Sequence, residues 1–455
     1  MFNERINKLH KKIFSSVGYL AGASLVEKIG AFLIIPLLTN ALTSKDYGEI
    51  MLSISYVGII ILFIYNGLHS ALFRWYSIWN ESFDKKIYEK YIFYIINIIG
   101  FFFIFIFFII NNYIYDLKDF LKIDFNLFLI TLMVALVRVA YSLKSSVWII
   151  NGHAYYNLVF TFIKTLLLII SVYYFIDLYP NAITKPLLEF IIALTVSSYI
   201  IYNYIFGYPS LKTVSFKQIK PVLKESFVYG WGLQISQVAF WVITSSDRIM
   251  LANLTNNEFV AYYSILMIGI TIMFVVVAFN NSFSAYYNKM INDNLSMKEI
   301  NNYIFIYLIY GFMAIMIYKL FLYYFSDYII LLLATDEYLS VSNYLYLTSD
   351  IILFNFAYLL FSRYLHAYKM VKMVIIITVT SAIVNIVLNY ILIQEYEIIG
   401  ALIASIIAYL LMGIMSFAIM YKKVGHIYTK RLLILFISLI AINFLIDIIL
   451  YKGII

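Results

Sequence analysis

The 455-residue chain lacks cysteine altogether and has few charged residues. Without a thiol, neither a disulfide framework nor a thiolate metal site can form. Asp, Glu, Lys and Arg make up only 12% of the residues, whereas 64% of the residues are hydrophobic. A composition this apolar excludes an ordinary soluble protein of the same size and indicates a membrane protein.

Motifs for nucleotide or metal chemistry are missing as well. The chain contains no Gly-Lys pair, so it has no phosphate-binding P-loop, and transport driven by ATP bound to this chain is excluded. The five histidines are scattered, without the spacing of metal ligands. Neither a nucleophile elbow nor an HExxH zinc motif occurs. We therefore expect no cofactor, while coupling to a proton or a sodium ion stays open.

Long apolar runs take up most of the chain. A bilayer is crossed by about 20 apolar residues in a helix. The sequence predicts membrane helices at 14–38, 48–72, 88–112, 126–150, 156–178, 186–206, 226–252, 258–284, 300–325, 342–366, 371–393, 398–421 and 431–450. The last run either spans the membrane or lies at its interface, so we predict 12 or 13 spanning helices.

The distribution of cations predicts the orientation. If the N-terminus lies in the cytoplasm, 22 lysines and arginines fall on cytoplasmic segments and five on outer segments. Cytoplasmic loops of membrane proteins carry the excess of Lys and Arg. We read the net charge of +8 as this topology signal and not as a sign of nucleic-acid binding.

An internal repeat predicts two lobes. Asn40-Ala-Leu-Thr43 and Asn253-Leu-Thr255 are separated by the same 213 residues as His153-Ala-Tyr155 and His366-Ala-Tyr368. Six predicted helices lie between the copies, an even number, so the halves should be parallel, with a substrate route between them. We predict an N-terminal six-helix lobe at 1–207, a basic cytoplasmic linker at 208–224, a C-terminal six-helix lobe at 225–422 and an extra helix at 423–455.

Five cations lie inside predicted membrane helices. They are Lys28, Arg138, Lys164, Arg248 and Lys319. A cation at the bilayer centre costs roughly 2.5–3.5 kcal/mol on insertion scales, so such residues are usually functional. A lysine near a helix end can instead extend to the interface, and this alternative stays open above all for Lys164 and Lys319.

A polar stripe marks the predicted seventh helix. Gln237, Trp241, Ser245 and Arg248 follow one another at helical spacing, so they share one face. In a membrane helix, such a face is tolerable next to a polar cavity. The acids Glu27, Asp247, Glu189 and Asp350 also lie within predicted membrane helices. They could carry a coupling ion, with Glu27, Asp247 and Asp350 as the leading candidates, or they could simply pair with nearby cations.

Several stretches resemble the polysaccharide-transporter family of the multidrug/oligosaccharidyl-lipid/polysaccharide (MOP) exporter superfamily, in particular the Wzx-type O-antigen flippases. The similar stretches are residues 35–48 (IPLLTNALTSKDYG), 246–251 (SDRIML), 260–263 (VAYY), 385–393 (NIVLNYILI) and 398–404 (IIGALIA). The chain departs from the family pattern at Val260, where the family has glycine, and at Glu395-Tyr-Glu397, where a glycine is common.

The resemblance implies an all-α membrane protein with two parallel six-helix lobes around an alternating-access cavity. It implies a transporter and not an enzyme, located in the bacterial cytoplasmic (inner) membrane. The implied substrate is an undecaprenyl-diphosphate-linked oligosaccharide, flipped from the cytoplasmic to the outer face for O-antigen (lipopolysaccharide) or capsule biosynthesis. Membrane lipid, a polysaccharide polymerase and chain-length machinery are the expected partners.

The buried cations suit such a substrate. A diphosphate is anionic and cannot cross hydrocarbon unaided, whereas Lys and Arg can bind it. We predict diphosphate binding by Lys28, Arg138 and Arg248, with Lys164 and Arg74 as further candidates. Gln237 and Trp241 are the expected partners of the sugars.

Three other functions compete with this one. A major-facilitator transporter would carry a Gly- and Arg-rich motif after its second helix, which residues 74–86 do not match. An ion-coupled multidrug exporter of the same superfamily would favour acids in its cavity, because its substrates are cations. A polysaccharide polymerase would have a large outer loop, whereas the longest predicted outer segment is residues 326–341.

Overall fold

The structure is a computed structural model that describes residues 2–65, 67–78, 82–211, 216–293, 296–424 and 426–452. These residues form α-helices joined by short 3₁₀ and π segments, and no strand occurs among them. Ten helical segments of the described residues are long and apolar enough to cross a membrane. The prediction of an all-α, multi-pass membrane protein is confirmed.

The chain divides into two compact units, of which the first comprises Met1–Val238. Its helices are α1 (Phe2–Ala41), α2 (Ser44–Tyr65), α3 (Leu68–Ile78), α4 (Ser82–Ile109), α5 (Leu117–Leu121), α6 (Phe125–Ile150), α7 (Tyr155–Phe175) and α8 (Thr184–Tyr202), followed by the start of α9 (Phe216–Leu254). Short π segments, Ile110–Ile114 and Asn203–Gly207, extend α4 and α8. Helices α1 and α7 pack together, and α6 packs on α2, α3, α4 and α8, so α6 is central to this unit.

The second unit comprises Ala239–Ile455. It contains the end of α9 and the helices α10 (Asn257–Leu266), α11 (Met273–Asn292), α12 (Met297–Leu333), α13 (Thr348–Ala367), α14 (Val371–Val424) and α15 (His426–Lys452). Two 3₁₀ segments, Met267–Ile270 and Asp336–Leu347, precede α11 and α13. Helix α13 is buried along almost its whole length and packs on α11, α12 and α14, so it forms the core of this unit.

The predicted domain boundaries stay a prediction. The division between the units falls inside α9, at Val238 and Ala239. Residues 216–224, the end of the predicted linker, are the first turns of α9, and residues 212–215 lie outside the described part of the chain. The predicted extra helix corresponds to α15, whose residues Lys430–Tyr451 are long and apolar enough to span.

Two predicted helices are each interrupted, which corrects the sequence-based boundaries. The helix predicted at 48–72 is divided into α2 and α3 around Gly67, whose φ of +71° is a left-handed conformation that suits glycine. The helix predicted at 258–284 is divided into α10, a 3₁₀ segment and α11. The backbone carbonyl of Gly269 in that 3₁₀ segment accepts a hydrogen bond from the Tyr318 hydroxyl, at 2.8 Å.

The helices predicted at 371–393 and 398–421 form one helical run, α14, with a sharp reversal at Glu397. Glu397 has φ +50° and ψ −120°, which is not a helical conformation. A Cβ atom on Gly400 would lie 2.2 Å from the Leu392 carbonyl oxygen, so the two halves of α14 meet closely after the turn. The predicted break between these two helices is therefore present.

Candidate functional site

A cavity of about 380 Å³ lies within the N-terminal unit, Met1–Val238. Helices α1, α6, α7 and α8, with the end of α2, supply its walls. The polar and charged side chains among its lining include Glu27, Arg138, Tyr141, Asn157, Thr161 and Lys164. Because these helices are membrane-length and apolar elsewhere, the cavity is a polar site inside a hydrophobic bundle.

Arg138 is the cation of α6 in this cavity. Its guanidinium pairs with Glu189 of α8, and Glu189 also accepts a hydrogen bond from Lys185 Nζ at 2.7 Å. The Arg138 side chain is nevertheless 39% exposed, and its Nε donates to no group of the described residues. Since a guanidinium has five N–H donors, Arg138 keeps several for a ligand in the cavity.

A second ion pair joins α7 to α1. Lys164 Nζ lies 3.2 Å from Glu27 Oε1. The Lys164 side chain is only 15% exposed, whereas that of Glu27 is 61% exposed. Glu27 can therefore swing into solvent more readily than Lys164 can, which would leave the lysine available to a competing anion.

The charges in and beside the cavity do not cancel. Arg138, Lys164 and Lys185 are three cations, and Glu27 and Glu189 are two carboxylates. The group carries one excess positive charge in a region with little water. Such an environment strengthens the attraction of an anion compared with the same charges at a protein surface.

Hydroxyl and amide groups line the wall beside these cations. The Tyr141 hydroxyl bonds to the Asn157 side-chain oxygen and lies 3.0 Å from Thr161 Oγ1. Ser145 also donates to Asn157, at 3.0 Å, and the Tyr141 ring stacks on Phe160 with a centroid distance of 4.5 Å. These groups provide hydrogen bonds and an aromatic face, which are the features that sugars need.

The sequence analysis did not single out this wall, although a signal for it was present. Arg138, Tyr141, Ser142 and Ser145 follow one face of α6. Asn157, Thr161 and Lys164 follow one face of α7 in the same way. Polar residues at intervals of three and four inside apolar helices could have extended the prediction beyond the charged residues.

Two predicted diphosphate ligands of this unit do not line the cavity. Lys28 is exposed, although its neighbour Glu27 reaches the cavity. Arg74 of α3 is also exposed, and its guanidinium carbon lies 4.6 Å from the centre of the Tyr229 ring. Their predicted roles stay predictions.

The stripe predicted on α9 is at least partly exposed. The Gln237 side chain is exposed and donates to Ser70 Oγ at 3.2 Å, within the first unit. Trp241 and Arg248, within the second unit, are half-buried. Arg248 Nε donates to Ser264 Oγ at 3.0 Å, and its guanidinium lies 5.7 Å from the Tyr263 ring centre.

Asp247, next to Arg248 on α9, faces the interior of the second unit and is fully buried. Its carboxylate accepts hydrogen bonds from the Tyr263 hydroxyl at 2.5 Å, the Asn389 amide at 2.6 Å and the Ser405 hydroxyl at 2.7 Å. All three donors are neutral. The side-chain oxygen of Asn389 has no hydrogen-bond partner among the described residues.

Asp350 of α13 is also buried, but it has a cation partner. Lys319 Nζ lies 2.7 Å from its Oδ1 and bonds to the Asn443 side-chain oxygen at 3.0 Å. Lys319 also pairs with Asp447 of α15. The sequence analysis did not connect Asp447 with this group, because residues 319, 350 and 447 lie far apart in the chain.

The fold and this cavity define a multi-pass, all-helical membrane protein with a polar, charged site inside its N-terminal unit. Residues 13–286 match the family described as polysaccharide biosynthesis protein. The match covers more than half of the chain, and the chain belongs to this family. Among curated protein sequences, none matches it.

Solved structures with the same fold are MOP-superfamily transporters. An inward-facing multidrug resistance transporter of the MATE family is 14% identical, with a TM-score of 0.62 over 91% of this chain and 95% of its own. A MOP transporter from Pyrococcus furiosus, described as having a binding pocket of reverse polarity, is 12% identical, with a TM-score of 0.62 and the same coverage. The lipid II flippase MurJ, inward closed, is 16% identical, with a TM-score of 0.61 over 97% of both chains.

At these identities the likeness concerns the fold. It confirms the predicted MOP flippase fold, and the family match confirms the predicted relation to polysaccharide transporters. Assignment to the Wzx-type flippases in particular stays a prediction.

Proposed function

We propose that the protein is a flippase that moves undecaprenyl-diphosphate-linked oligosaccharide from the cytoplasmic to the outer face of the bacterial cytoplasmic membrane. The translocated unit then serves the synthesis of a surface polysaccharide, either O-antigen or capsule. Membership of a polysaccharide biosynthesis family supports this proposal, as does a fold shared with a lipid II flippase. The observation that carries it is the cavity with excess positive charge around Arg138 and Lys164.

The diphosphate binds where Arg138 has spare donors. A phosphate group takes two parallel hydrogen bonds from a guanidinium, and such charge-assisted bonds are the strong ones. Lys164 adds a second cation once the exposed Glu27 moves away from it. An entering anion therefore replaces one carboxylate partner with another negative group, and the cavity keeps a small net charge throughout.

The sugars occupy the wall of Tyr141, Asn157 and Thr161, beside the Phe160 ring. Lys28, Arg74 and Arg248 remain proposed contacts of the diphosphate, and Gln237 and Trp241 remain proposed contacts of the sugars, along an alternating-access cycle. The lipid tail stays in the bilayer, so the protein needs to accommodate only the head group.

Asp247 is the proposed coupling site for a proton or a sodium ion. Its three recorded hydrogen-bond donors are neutral, and the adjacent Asn389 oxygen is unpartnered among the described residues, which suits a small cation. Glu27 and Asp350, by contrast, already have lysine partners. The membrane potential assists as well, because each negative charge moved outward gains about 2.3 kcal/mol per 100 mV.

The experiment uses a strain that lacks this gene. We expect the lipid-linked repeat unit to accumulate on the cytoplasmic face of the membrane and the surface polysaccharide to be lost. Accumulation of unpolymerised units on the outer face would contradict the proposal and indicate a polymerase. The reporter is access of an impermeant glycan-binding probe to the lipid-linked unit in intact and in inverted membrane vesicles.

An ion-coupled multidrug exporter is the second candidate, because the fold is shared with MATE transporters. The excess positive charge of the cavity opposes a cationic drug, whereas it favours an anionic substrate. Unchanged surface glycan together with new sensitivity to cationic dyes in the deletion strain would favour the exporter.

A further inference from the structure

The buried cluster in the C-terminal unit has one negative charge too many. Lys319 of α12 is fully buried, and the side chains of Asp350 (α13) and Asp447 (α15) are only 2% and 15% exposed. Three oxygen acceptors surround the lysine nitrogen, from Asp350, Asp447 and the Asn443 amide. Only an ammonium has three hydrogens to donate, so Lys319 carries its charge.

One ammonium neutralises only one of the two carboxylates. A second carboxylate without a counter-charge inside a membrane-embedded bundle is strongly unfavourable. The two carboxyl groups lie within hydrogen-bonding reach of each other, and a hydrogen bond between two carboxyl groups requires a proton on one of them. Carboxylates that share a site in this way commonly hold one proton between them.

Neighbouring elements supply no other counter-charge among the described residues. The recorded ion pairs of both carboxylates involve Lys319 alone. The titratable groups facing the cluster are Tyr346, whose ring centre is 5.8 Å from Lys319 Nζ, and Tyr323, which packs on Tyr346. The charged residues of α14, the other helix packed against α13 and α15, are all exposed; they are Lys372, Glu395, Glu397, Lys422 and Lys423.

We propose that Lys319, Asp350 and Asp447 form a buried proton-binding site that holds one proton between the two carboxyl groups while the lysine stays charged. The proton comes from water and resides on one carboxyl oxygen, which donates it to the other carboxylate. Since Asp447 belongs to α15, this proton also holds the last helix against α12 and α13. The inference concerns charge balance alone and does not depend on the substrate.

Infrared spectroscopy of the purified full-length protein in lipid tests the site, because a protonated carboxyl group has its own C=O stretching band. Asp247 is buried too, so spectra are recorded in an Asp247→Asn background. We expect a protonated-carboxyl band at neutral pH that shifts when isotope-labelled aspartate is incorporated. The band should disappear in Asp447→Asn and in Asp350→Asn, because each variant leaves a neutral pair with Lys319.

The lysine variant has the opposite expected result. In Lys319→Met both carboxyl groups need a proton, so the band should roughly double. Asp327→Asn, at an exposed position on the same helix, is the matched control and should leave the band unchanged. Absence of an aspartate-shifted band in the background protein would overturn the proposal without reference to any cluster variant.

A band that survives both Asp447→Asn and Asp350→Asn would overturn the proposal as well. Disappearance of the band when sodium replaces potassium at constant pH would assign the neutralising cation to sodium and would also overturn it. The measurement needs no transport assay, so its result is independent of whether the protein is a flippase.

Discussion

The five cations predicted inside membrane helices have different environments. Arg138 and Lys164 line one cavity of the N-terminal unit, where each has an acidic partner and Arg138 keeps free donors. Lys319 is buried in a cluster with two carboxyl groups. Arg248 bonds to Ser264, and Lys28 is exposed. The same residue type in the same kind of helix thus has ligand-binding or structural surroundings that only its neighbours distinguish.

Arg138→Gln should abolish most of the transport while leaving the protein in the membrane. A hydrogen bond to a charged group contributes about 1.5–3 kcal/mol, which corresponds to a roughly ten- to hundredfold lower rate. Flipping of the lipid-linked unit in the complemented deletion strain is the measurement.

Lys185→Gln is the matched control for that variant. Lys185 also pairs with Glu189, but it does not line the cavity. If Arg138 acted only by neutralising Glu189, both variants would lose activity equally. We expect Lys185→Gln to keep at least half of the wild-type rate.

Gly230→Ala should destabilise the N-terminal unit, because a Cβ atom there would lie 2.6 Å from the backbone of Gly67. Overpacking of this kind costs typically 1–3 kcal/mol. Gly232→Ala, two residues further along α9, has nothing within 4 Å and should be neutral or slightly stabilising. The thermal unfolding midpoints of the purified variants compare the two, and equal midpoints would contradict the close approach of Gly67 and Gly230.

At the scale of the element, α14 contains a turn with an unfavourable residue. The sequence comparison noted that glycine is common in the family where this chain has Glu395-Tyr-Glu397. The structure supplies the physical reason, since Glu397 has φ +50° and ψ −120°. Backbone conformations of this kind favour glycine and cost other residues about 1–3 kcal/mol.

Glu397→Gly should therefore raise the thermal unfolding midpoint of the purified protein. The gain follows from relief of strain, reduced somewhat by the greater flexibility of glycine in the unfolded chain. Glu395→Gly, at an exposed helical position of the same run, should lower the midpoint instead. A lower midpoint for both variants would contradict the conformation of Glu397.

The internal repeat is reflected in helix starts, but only one of its two signals is in register. Thr43 and Asn256 stand 213 residues apart, and the side-chain oxygen of each accepts the backbone N–H of the residue three positions later. The second signal, based on His153 and His366, is displaced. The left-handed residues that end α6 and α13 are Gly152 and Lys369, which are 217 residues apart.

At the scale of the whole molecule, the cation distribution predicts which ends of the helices face the cytoplasm. Because the chain has no cysteine, single cysteines can be introduced and labelled without background. Lys45→Cys and Asn253→Cys should react with a membrane-impermeant maleimide in intact cells. Lys298→Cys and Lys422→Cys should react only after the membrane is opened.

All four of these side chains are exposed, so burial does not decide their reactivity. Labelling of Lys298→Cys and Lys422→Cys from outside, with protection of the other two, would reverse the predicted orientation. Labelling of all four in intact cells would contradict a single topology.

Composition, hydropathy and charge by themselves determined that this is an all-α, multi-pass membrane protein. These properties are decided residue by residue, because hydrocarbon requires apolar helices and excludes unpaired charge. The break near Glu397 and most helix positions followed from the same patterns. The interruptions at Gly67 and before α11 did not, because they depend on packing partners distant in the sequence.

Only the tertiary structure decided which charged residues share a site. Glu27, Arg138, Lys164 and Glu189 come from four helices, and helical periodicity does not reveal which helices are neighbours. The same is true of Lys319, Asp350 and Asp447. Electrostatic interactions depend on distance in space, so the sequence could identify the buried charges, while the packing of the helices determined their partners.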